Sequence, residues 1–472
     1  VPEARKHDTV VIGAGPAGYV CAIRLGQLGV DTLLVEREYM GGVCLNVGCI
    51  PSKALIHASK EAHVVSEAAT MGIRLKLEGI DLAKMQEWKS AIVKKLTGGV
   101  GQLVKGNGAQ VLMGSARLTS ANSVEVRTAE GIVTVEARNI VLATGSRPVQ
   151  IPGFTFDETF VLSSTGALAL SKLPENLVVI GGGYIGLELA ITYAKLGSKV
   201  VVVEMMEQLL PGFSPDVVKV LARVVKKLGI EALTSAKAKS CKPPQGGGRG
   251  SVIIEVAGQE RTLPADAVLV AVGRRPNSED LGLREIGVTI GERGFVPSDA
   301  RLRTNVPSIY SIGDLAGEPM LAHKGSKEGE VAAEVIAGHP AENDSRAIPA
   351  VVFTDPEIAT VGLTEEHARK KGVEVAIGKF PYVALGRGLS TNETEGFVKL
   401  IVDRRSDVVL GAEIVGADAS SLIAEVALAV EMGASVQDLA LTIHAHPTFP
   451  EAIMEAAKAV HGEAVHIMNR PA

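Results

Sequence analysis

The chain has 472 residues, 46% hydrophobic but only 3% aromatic, with 52 glycines and a formal net charge of −5. That length holds about three or four domains of ~100–150 residues, and the mildly acidic balance excludes an electrostatic case for DNA, RNA or anionic membranes. No uncharged apolar run reaches the roughly 18 residues that a bilayer span needs. Four cysteines are too few for a disulfide scaffold and point to a reducing, cytoplasmic interior. The start, Val-Pro-Glu-Ala-Arg-Lys-His, has no secretory apolar region, and a mitochondrial chain freed of its transit peptide would read the same way.

Residues 9–12 (Thr-Val-Val-Ile) read as a buried strand running into Gly13-Ala-Gly15-Pro-Ala-Gly18, a helix from Tyr19 to Leu28, and a second strand, 32–35, that ends in Glu36. This is the dinucleotide-binding βαβ pattern. Its first glycine permits the tight turn, its second lets backbone approach a pyrophosphate and its third lets helix pack on strand, while the acid takes ribose hydroxyls. The pattern recurs. Residues 177–180 form a strand, Gly181-Gly-Gly183-Tyr184-Ile185-Gly186 the turn, 187–196 the helix and 199–203 the second strand, ending in Glu204. In each copy the acid lies 23 residues beyond the first glycine, 13 to 36 and 181 to 204. Two copies imply two bound dinucleotides, and Met205 and Met206 after the second acid, in place of an arginine, favour NAD over NADP.

Between the copies lies Met40-Gly-Gly-Val-Cys44-Leu-Asn-Val-Gly-Cys49-Ile-Pro-Ser-Lys53. On an ideal helix, residues five apart have Cα atoms about 8–9 Å apart, whereas a disulfide needs about 4.4–6.8 Å. A bonded pair therefore requires a distorted turn, which Gly41, Gly42 and Gly48 ease, and strained disulfides tend to be labile or catalytic. The pair follows Glu36 by eight residues (36 to 44), which places it beside the first nucleotide. Cys21 and Cys241 carry no motif. Residues 60–110 read as helical and 111–142 as short strands, ending in Ala-Thr144-Gly145-Ser146-Arg-Pro; 241–250 reads as a flexible turn. Strands follow at 267–272, closing on Gly273, and at 306–314, ending in Asp314. From about 347, strands at 350–353, 396–402 and 408–415 and then amphipathic helices read as a separate α+β domain. Near the end stands His444-Ala-His446-Pro-Thr-Phe-Pro-Glu451, non-helical before a helix from about 451 to 461. Thiol–disulfide exchange needs a thiolate and hence a base. A histidine held by a carboxylate supplies one.

The redox motif 41–53, the stretch Gly181-Gly-Gly-Tyr-Ile-Gly186-Leu-Glu188, and His444-Ala-His446-Pro-Thr with Glu451 together resemble the flavin disulfide reductases (class I pyridine nucleotide-disulfide oxidoreductases) over essentially the whole chain. The resemblance implies two Rossmann-like domains, for FAD (1–148) and NAD (149–273), a central domain completing the FAD site (274–346) and a C-terminal α+β dimerisation domain (347–472). FAD would lie on Gly13, Gly15, Gly18, Glu36, Lys53, Ala116, Thr144, Gly145, Ser146, Asp314 and Ala322. NAD would lie on Gly181, Gly183, Ile185, Gly186, Glu204, Ala236 and Gly273, with Tyr184 covering the nicotinamide pocket. Cys44 would be the exchange sulfur, Cys49 the flavin-facing thiolate, His446 with Glu451 the base, and Lys53 would pair with Glu188 near the flavin. No metal is implied. The matching branch oxidises protein-bound dihydrolipoamide to lipoamide with NAD as acceptor. It works as a homodimer whose histidine crosses to the other subunit, and it serves the lipoyl domains and peripheral-subunit-binding region of an E2 acyltransferase or the glycine cleavage H protein. Val43, where threonine is usual, and Phe449-Pro450 depart from the pattern without removing a reacting group. The rival readings are an NAD(P)H-dependent disulfide or metal-ion reductase of glutathione, mycothiol or mercuric type, and a non-enzymatic flavoprotein. The absence of cysteine after Cys241 speaks against the mercuric type, and the intact reacting residues speak against a non-enzymatic role.

Overall fold

The computed structural model describes residues 4–245 and 248–469. The first and last three residues and the centre of the 241–250 turn, to which the readings of both termini and of that turn extend, lie outside the described residues. The chain divides into two compact units, Val1–Lys172 with Val270–Asp344 and Leu173–Leu269 with Ser345–Ala472.

The first unit is built on a sheet ordered Gln110–Met113, Thr32–Glu36, Arg5–Ile12, Ile132–Leu142, Ser123–Arg127, Ser115–Ser120, with Ile309–Ser311 paired to the end of Ile132–Leu142. The first four strands and Ile309–Ser311 run parallel, and the remaining two are antiparallel additions. Side chains alternate between faces. Val11, Leu34 and Val141 pack with Cys21, Ala22 and Leu25 of the helix Pro16–Gln27, while Val10, Leu33 and Ile140 pack with Val124 and Val126 on the other side. Both faces are covered, so these strands read as unbroken apolar runs. The long helical reading of 60–110 resolves into Cys49–Glu67, a short 3-10 turn Ala68–Met71 and the helix Leu82–Gly106. Gly72, at φ +79°, ends the first part, and Asp81 starts the next by accepting from the Lys84 N–H at 2.9 Å.

The second unit repeats the pattern with Glu231–Leu233, Lys199–Val203 and Asn176–Ile180 running parallel and Ala267–Val270 next to Asn176–Ile180 in the sheet. The meander Ala236–Lys242, Gly250–Val256, Gln259–Ala265 follows. Its C-terminal part is an antiparallel sheet ordered Ala350–Val352, Glu357–Gly362, Val409–Gly416, Phe397–Asp403, Val375–Pro381. The helices Ala419–Met432 and Glu451–Val460 share its apolar core, with Ile414, Val398, Val426 and Ala456 fully buried. The sequence pattern misses Glu357–Gly362 and Val375–Pro381, whose glycines and proline weaken a strand signal. At Gly378 the reason is packing: a Cβ there would lie 1.9 Å from the Ala456 carbonyl oxygen. The close approach seats the helix that begins with Glu451.

Candidate active site

In the first unit, strand Arg5–Ile12 turns at Gly13, φ +104°, where a Cβ would meet the Ala143 oxygen at 2.3 Å. At Gly18 a Cβ would strike the Gly13 oxygen at 1.8 Å, whereas at Gly15 it would meet nothing within 4 Å among the described residues. Helix Pro16–Gln27 begins there with no side-chain cap. Of Gly13, Gly15 and Gly18, only Gly15 has room around it, and it stands at the start of this uncapped helix. That is a cradle for a pyrophosphate. Glu36 is buried, its Oε2 accepting from the Ala14 N–H at 2.7 Å and its Oε1 from the Glu38 N–H at 2.8 Å.

The cysteine segment is built against this turn. Gly41 donates to the Ala14 oxygen at 2.9 Å, and a Cβ on Gly42, φ +56°, would lie 2.6 Å from the Gly15 Cα. Helix Gly42–Val47 breaks at Gly48, and Cys49–Glu67 starts immediately after. The break is the distorted turn that a five-residue spacing demands. It brings the Cys44 and Cys49 thiols into hydrogen-bonding contact. That hydrogen bond with Cys49 and burial push the Cys44 thiol far up, against a downward pull from Lys53.

Thr144 to Ser146 are tied from a distance. Thr144 Oγ1 donates to the Asn277 oxygen at 2.7 Å, and Asn277 Nδ2 returns a bond to the Thr144 oxygen at 2.9 Å. Ser146 Oγ donates to Asp314 Oδ2 at 2.5 Å and accepts from Arg274 Nε at 2.8 Å. The structure thus gathers Gly13 to Gly18, the cysteine segment, Thr144, Gly145, Ser146 and Asp314 in one region. Ala116 stands on strand Ser115–Ser120, just beyond Gly114, whose N–H donates to the Glu36 oxygen at 2.7 Å; Ala322 opens the uncapped helix Ala322–Ile336, and Lys53 stands on the helix begun by Cys49.

In the second unit the turn is repeated nearly atom for atom. Gly181 has φ +108°, a Cβ at Gly186 would meet the Gly181 oxygen at 2.1 Å, and at Gly183 it would meet nothing within 4 Å among the described residues. Glu204 Oε2 accepts from the Gly182 N–H at 2.6 Å and its Oε1 from the Met206 N–H at 2.7 Å. The Ala236 N–H donates to the Glu204 oxygen at 2.9 Å. Tyr184 and Ile185 open the helix Tyr184–Lys195, with Tyr184 41% exposed. Glu188 is buried on that helix and accepts from the Phe353 N–H at 2.8 Å. Gly273 belongs to the first unit, its oxygen accepting from the Val149 N–H at 3.0 Å.

The two histidines near the C-terminus differ in their freedom. His444 has both ring nitrogens engaged, Nε2 with Glu425 at 2.8 Å and Nδ1 with the Thr442 oxygen at 2.9 Å, and is 5% exposed. His446 is held through Nδ1 by Glu451 Oε1 at 2.8 Å while its side chain is 76% exposed. Burial pushes the Glu451 carboxyl up, but the Thr448 N–H and His446 outweigh it and hold the group below the usual carboxylate range.

The sequence matches pyridine nucleotide-disulphide oxidoreductases over residues 7–329 and the dimerisation domain of the same proteins over 348–457. It is 49% identical over 467 residues to the dihydrolipoyl dehydrogenase of Geobacillus stearothermophilus, covering 99% of each chain. With that of Bacillus subtilis it shares 50% over 465 residues and 98% of each chain. The chain belongs to the pyridine nucleotide-disulphide oxidoreductases. Among solved structures it is similar to LpdA of Mycobacterium tuberculosis, with a TM-score of 0.88, 27% identity and coverage of 96% of this chain and 99% of that one. It is also similar to the HOCl-induced flavoprotein disulfide reductase RclA of Escherichia coli, with a TM-score of 0.85, 28% identity and coverage of 96% and 99%.

As a pyridine nucleotide-disulphide oxidoreductase, the chain is an enzyme that works with FAD and NAD and carries a C-terminal dimerisation domain. The two cradles, each open at its middle glycine and uncapped at its helix, fit two dinucleotides. Sequence reasoning missed Asn277 and Arg274, which bond Thr144 and Ser146, and Lys324 and Glu328, which bond Gly313. Asn277 follows Arg274-Arg-Pro276 directly, and Lys324 and Glu328 stand four apart just after Asp314. Those spacings are the signals that could have found them.

Proposed function

We propose that this enzyme oxidises protein-bound dihydrolipoyl groups to lipoyl groups and reduces NAD to NADH. The observation that carries the reading is the thiol pair seated against the first dinucleotide turn, Gly42 on Gly15, in a chain whose relatives of matching length are dihydrolipoyl dehydrogenases. His446 Nε2 takes a proton from one substrate thiol, Glu451 holding the ring and balancing its charge. The substrate sulfur attacks Cys44 Sγ of the oxidised pair, the Cys44–Cys49 bond breaks, and Cys49 leaves as thiolate. The second substrate sulfur then closes the lipoyl disulfide and releases Cys44, which ends protonated with the second substrate proton. Two electrons and two protons have moved: the protons rest on His446 and Cys44, opposite one negative charge on Cys49. FAD, when bound, supplies the two-electron relay from this thiol pair to NAD.

In this reading FAD is held by Gly13, Gly15, Gly18, Glu36, Lys53, Ala116, Thr144 to Ser146, Asp314 and Ala322. NAD is held by Gly181 to Gly186, Glu204, Ala236 and Gly273, with Tyr184 over the nicotinamide pocket and Lys53 paired with Glu188. The domains divide at about 148, 273 and 346. The chain works as a homodimer in the cytoplasm, each site completed by the other subunit's histidine, and its partners are lipoyl domains and the E2 acyltransferase or the glycine cleavage H protein. Anaerobic dihydrolipoamide, followed by NAD, should reduce the holoenzyme and then yield NADH. A holoenzyme left oxidised by dihydrolipoamide but reduced by NADPH would instead be a sister disulfide reductase.

A further inference from the structure

Helix Ala322–Ile336 carries a buried ion pair that serves one backbone residue. Lys324 Nζ and Glu328 Oε1 stand 3.0 Å apart, with side chains 8% and 5% exposed. Glu328 Oε2 accepts from the Gly313 N–H at 2.7 Å, while Lys324 Nζ donates to the Gly313 oxygen at 3.2 Å and the Gly317 oxygen at 3.0 Å. The pair thus grips both polar ends of Gly313, which sits in the left-handed region at φ +71°. The next residue is Asp314, bonded to Ser146.

Helix stability does not explain this arrangement. A lysine placed before a glutamate at i,i+4 is the weaker order against the helix dipole, and burying two charges is costly unless their geometry is well satisfied. Burial indeed pushes the Glu328 carboxyl up, although Lys324 and the Gly313 N–H oppose it. The same helix touches the phosphate turn through glycines. A Cβ on Gly329 would lie 2.4 Å from the Ala17 oxygen, and one on Gly325 3.2 Å from the Ala17 Cβ and 3.3 Å from the Gly313 Cα. One helix therefore sets the distance between helix Pro16–Gln27 and the Gly313–Leu315 turn, and the ion pair sets the angle of the peptide that aims Asp314.

The geometry points to Lys324 and Glu328 as positioning residues for FAD, locking Asp314 and, through it, Ser146 in register with the Gly13–Gly18 turn. This rests on the FAD placement proposed above. The test follows FAD release from diluted holoenzyme by the rise in flavin fluorescence, together with the visible circular dichroism of bound flavin. Lys324→Met and Glu328→Gln should each speed release roughly tenfold or more and change the dichroism, while Lys324→Arg should restore both. Should Lys324→Met fail to fold, Glu328→Gln carries the test, because it keeps an acceptor for Gly313 and removes only the charge. Wild-type release and dichroism in Glu328→Gln, even with a lower melting temperature, overturn the inference. Asp314→Asn separates the two levels. If it also leaves release unchanged, the FAD placement itself is wrong; if it alone speeds release, only the positioning role fails.

Discussion

His446 Nδ1 and Glu451 Oε1 lie 2.8 Å apart, across the five residues that separate a proline-bounded loop from the first turn of a helix. The contact assigns the Nδ1 tautomer and leaves Nε2 as the ring's working nitrogen, while neighbouring His444 has both nitrogens occupied. His446→Gln should therefore lower turnover with dihydrolipoamide by about 10²-fold or more, and His444→Gln should mainly lower the melting temperature. Equal losses of turnover in the two variants would remove the distinction.

Removing the carboxylate should leave the His446 ring without the group that orients it. Glu451→Gln is expected to slow turnover with dihydrolipoamide about tenfold. Because the folded Glu451 carboxyl is held below its ordinary value, its contribution to stability is present above about pH 4.5 and fades as pH falls through the lowered value. Urea midpoints of the wild type and Glu451→Gln should accordingly converge on acidification.

The thiol pair depends on two glycines. A Cβ on Gly48 would meet the Val43 oxygen at 2.9 Å, so Gly48→Ala should separate the thiols and slow reduction by dihydrolipoamide while FAD stays bound. Gly42→Ala drives a methyl to 2.6 Å from the Gly15 Cα at a positive φ and should release FAD as well. Stopped-flow reduction and retained flavin distinguish the two variants.

In the proposed NAD site, coenzyme choice should turn on Glu204. With its carboxylate fixed by the Gly182 and Met206 amides, a 2′-phosphate would face a like charge. NAD should be preferred over NADP by about 10²-fold or more in kcat/KM, and Glu204→Ala with Met205→Arg should narrow the ratio. Unchanged selectivity would count against this site.

A second buried network predicts acid sensitivity. Lys399 and Glu413, with side chains 4% and 1% exposed, form an ion pair; Lys399 also binds Asp216 at 3.0 Å, and Ser214 Oγ donates to Glu413 at 2.7 Å. Lys399→Met leaves a buried carboxylate unpaired and should cost about 3 kcal/mol in urea unfolding. Burial pushes Asp216 up, but hydrogen bonds from Lys379 and Lys399 outweigh it and hold it below its usual value. Its contribution is thus present above about pH 4 and lost on further acidification, whereas in Lys399→Met that loss should shrink.

Local chemistry was legible in the sequence wherever neighbouring residues define it. Both glycine turns, their acids, the cysteine spacing and the histidine–carboxylate pair all lie within short stretches, because turn geometry and helical rise are set by adjacent residues. Strands with interrupting glycines, such as Val375–Pro381, escaped because only the helix packed on Gly378 explains them. Tertiary structure alone decided which histidine is open, that Asn277 straps Thr144, and that Lys324 and Glu328 grip Gly313. Hydrogen bonds and buried ion pairs join groups by distance in space, and a sequence pattern carries distance only along the chain.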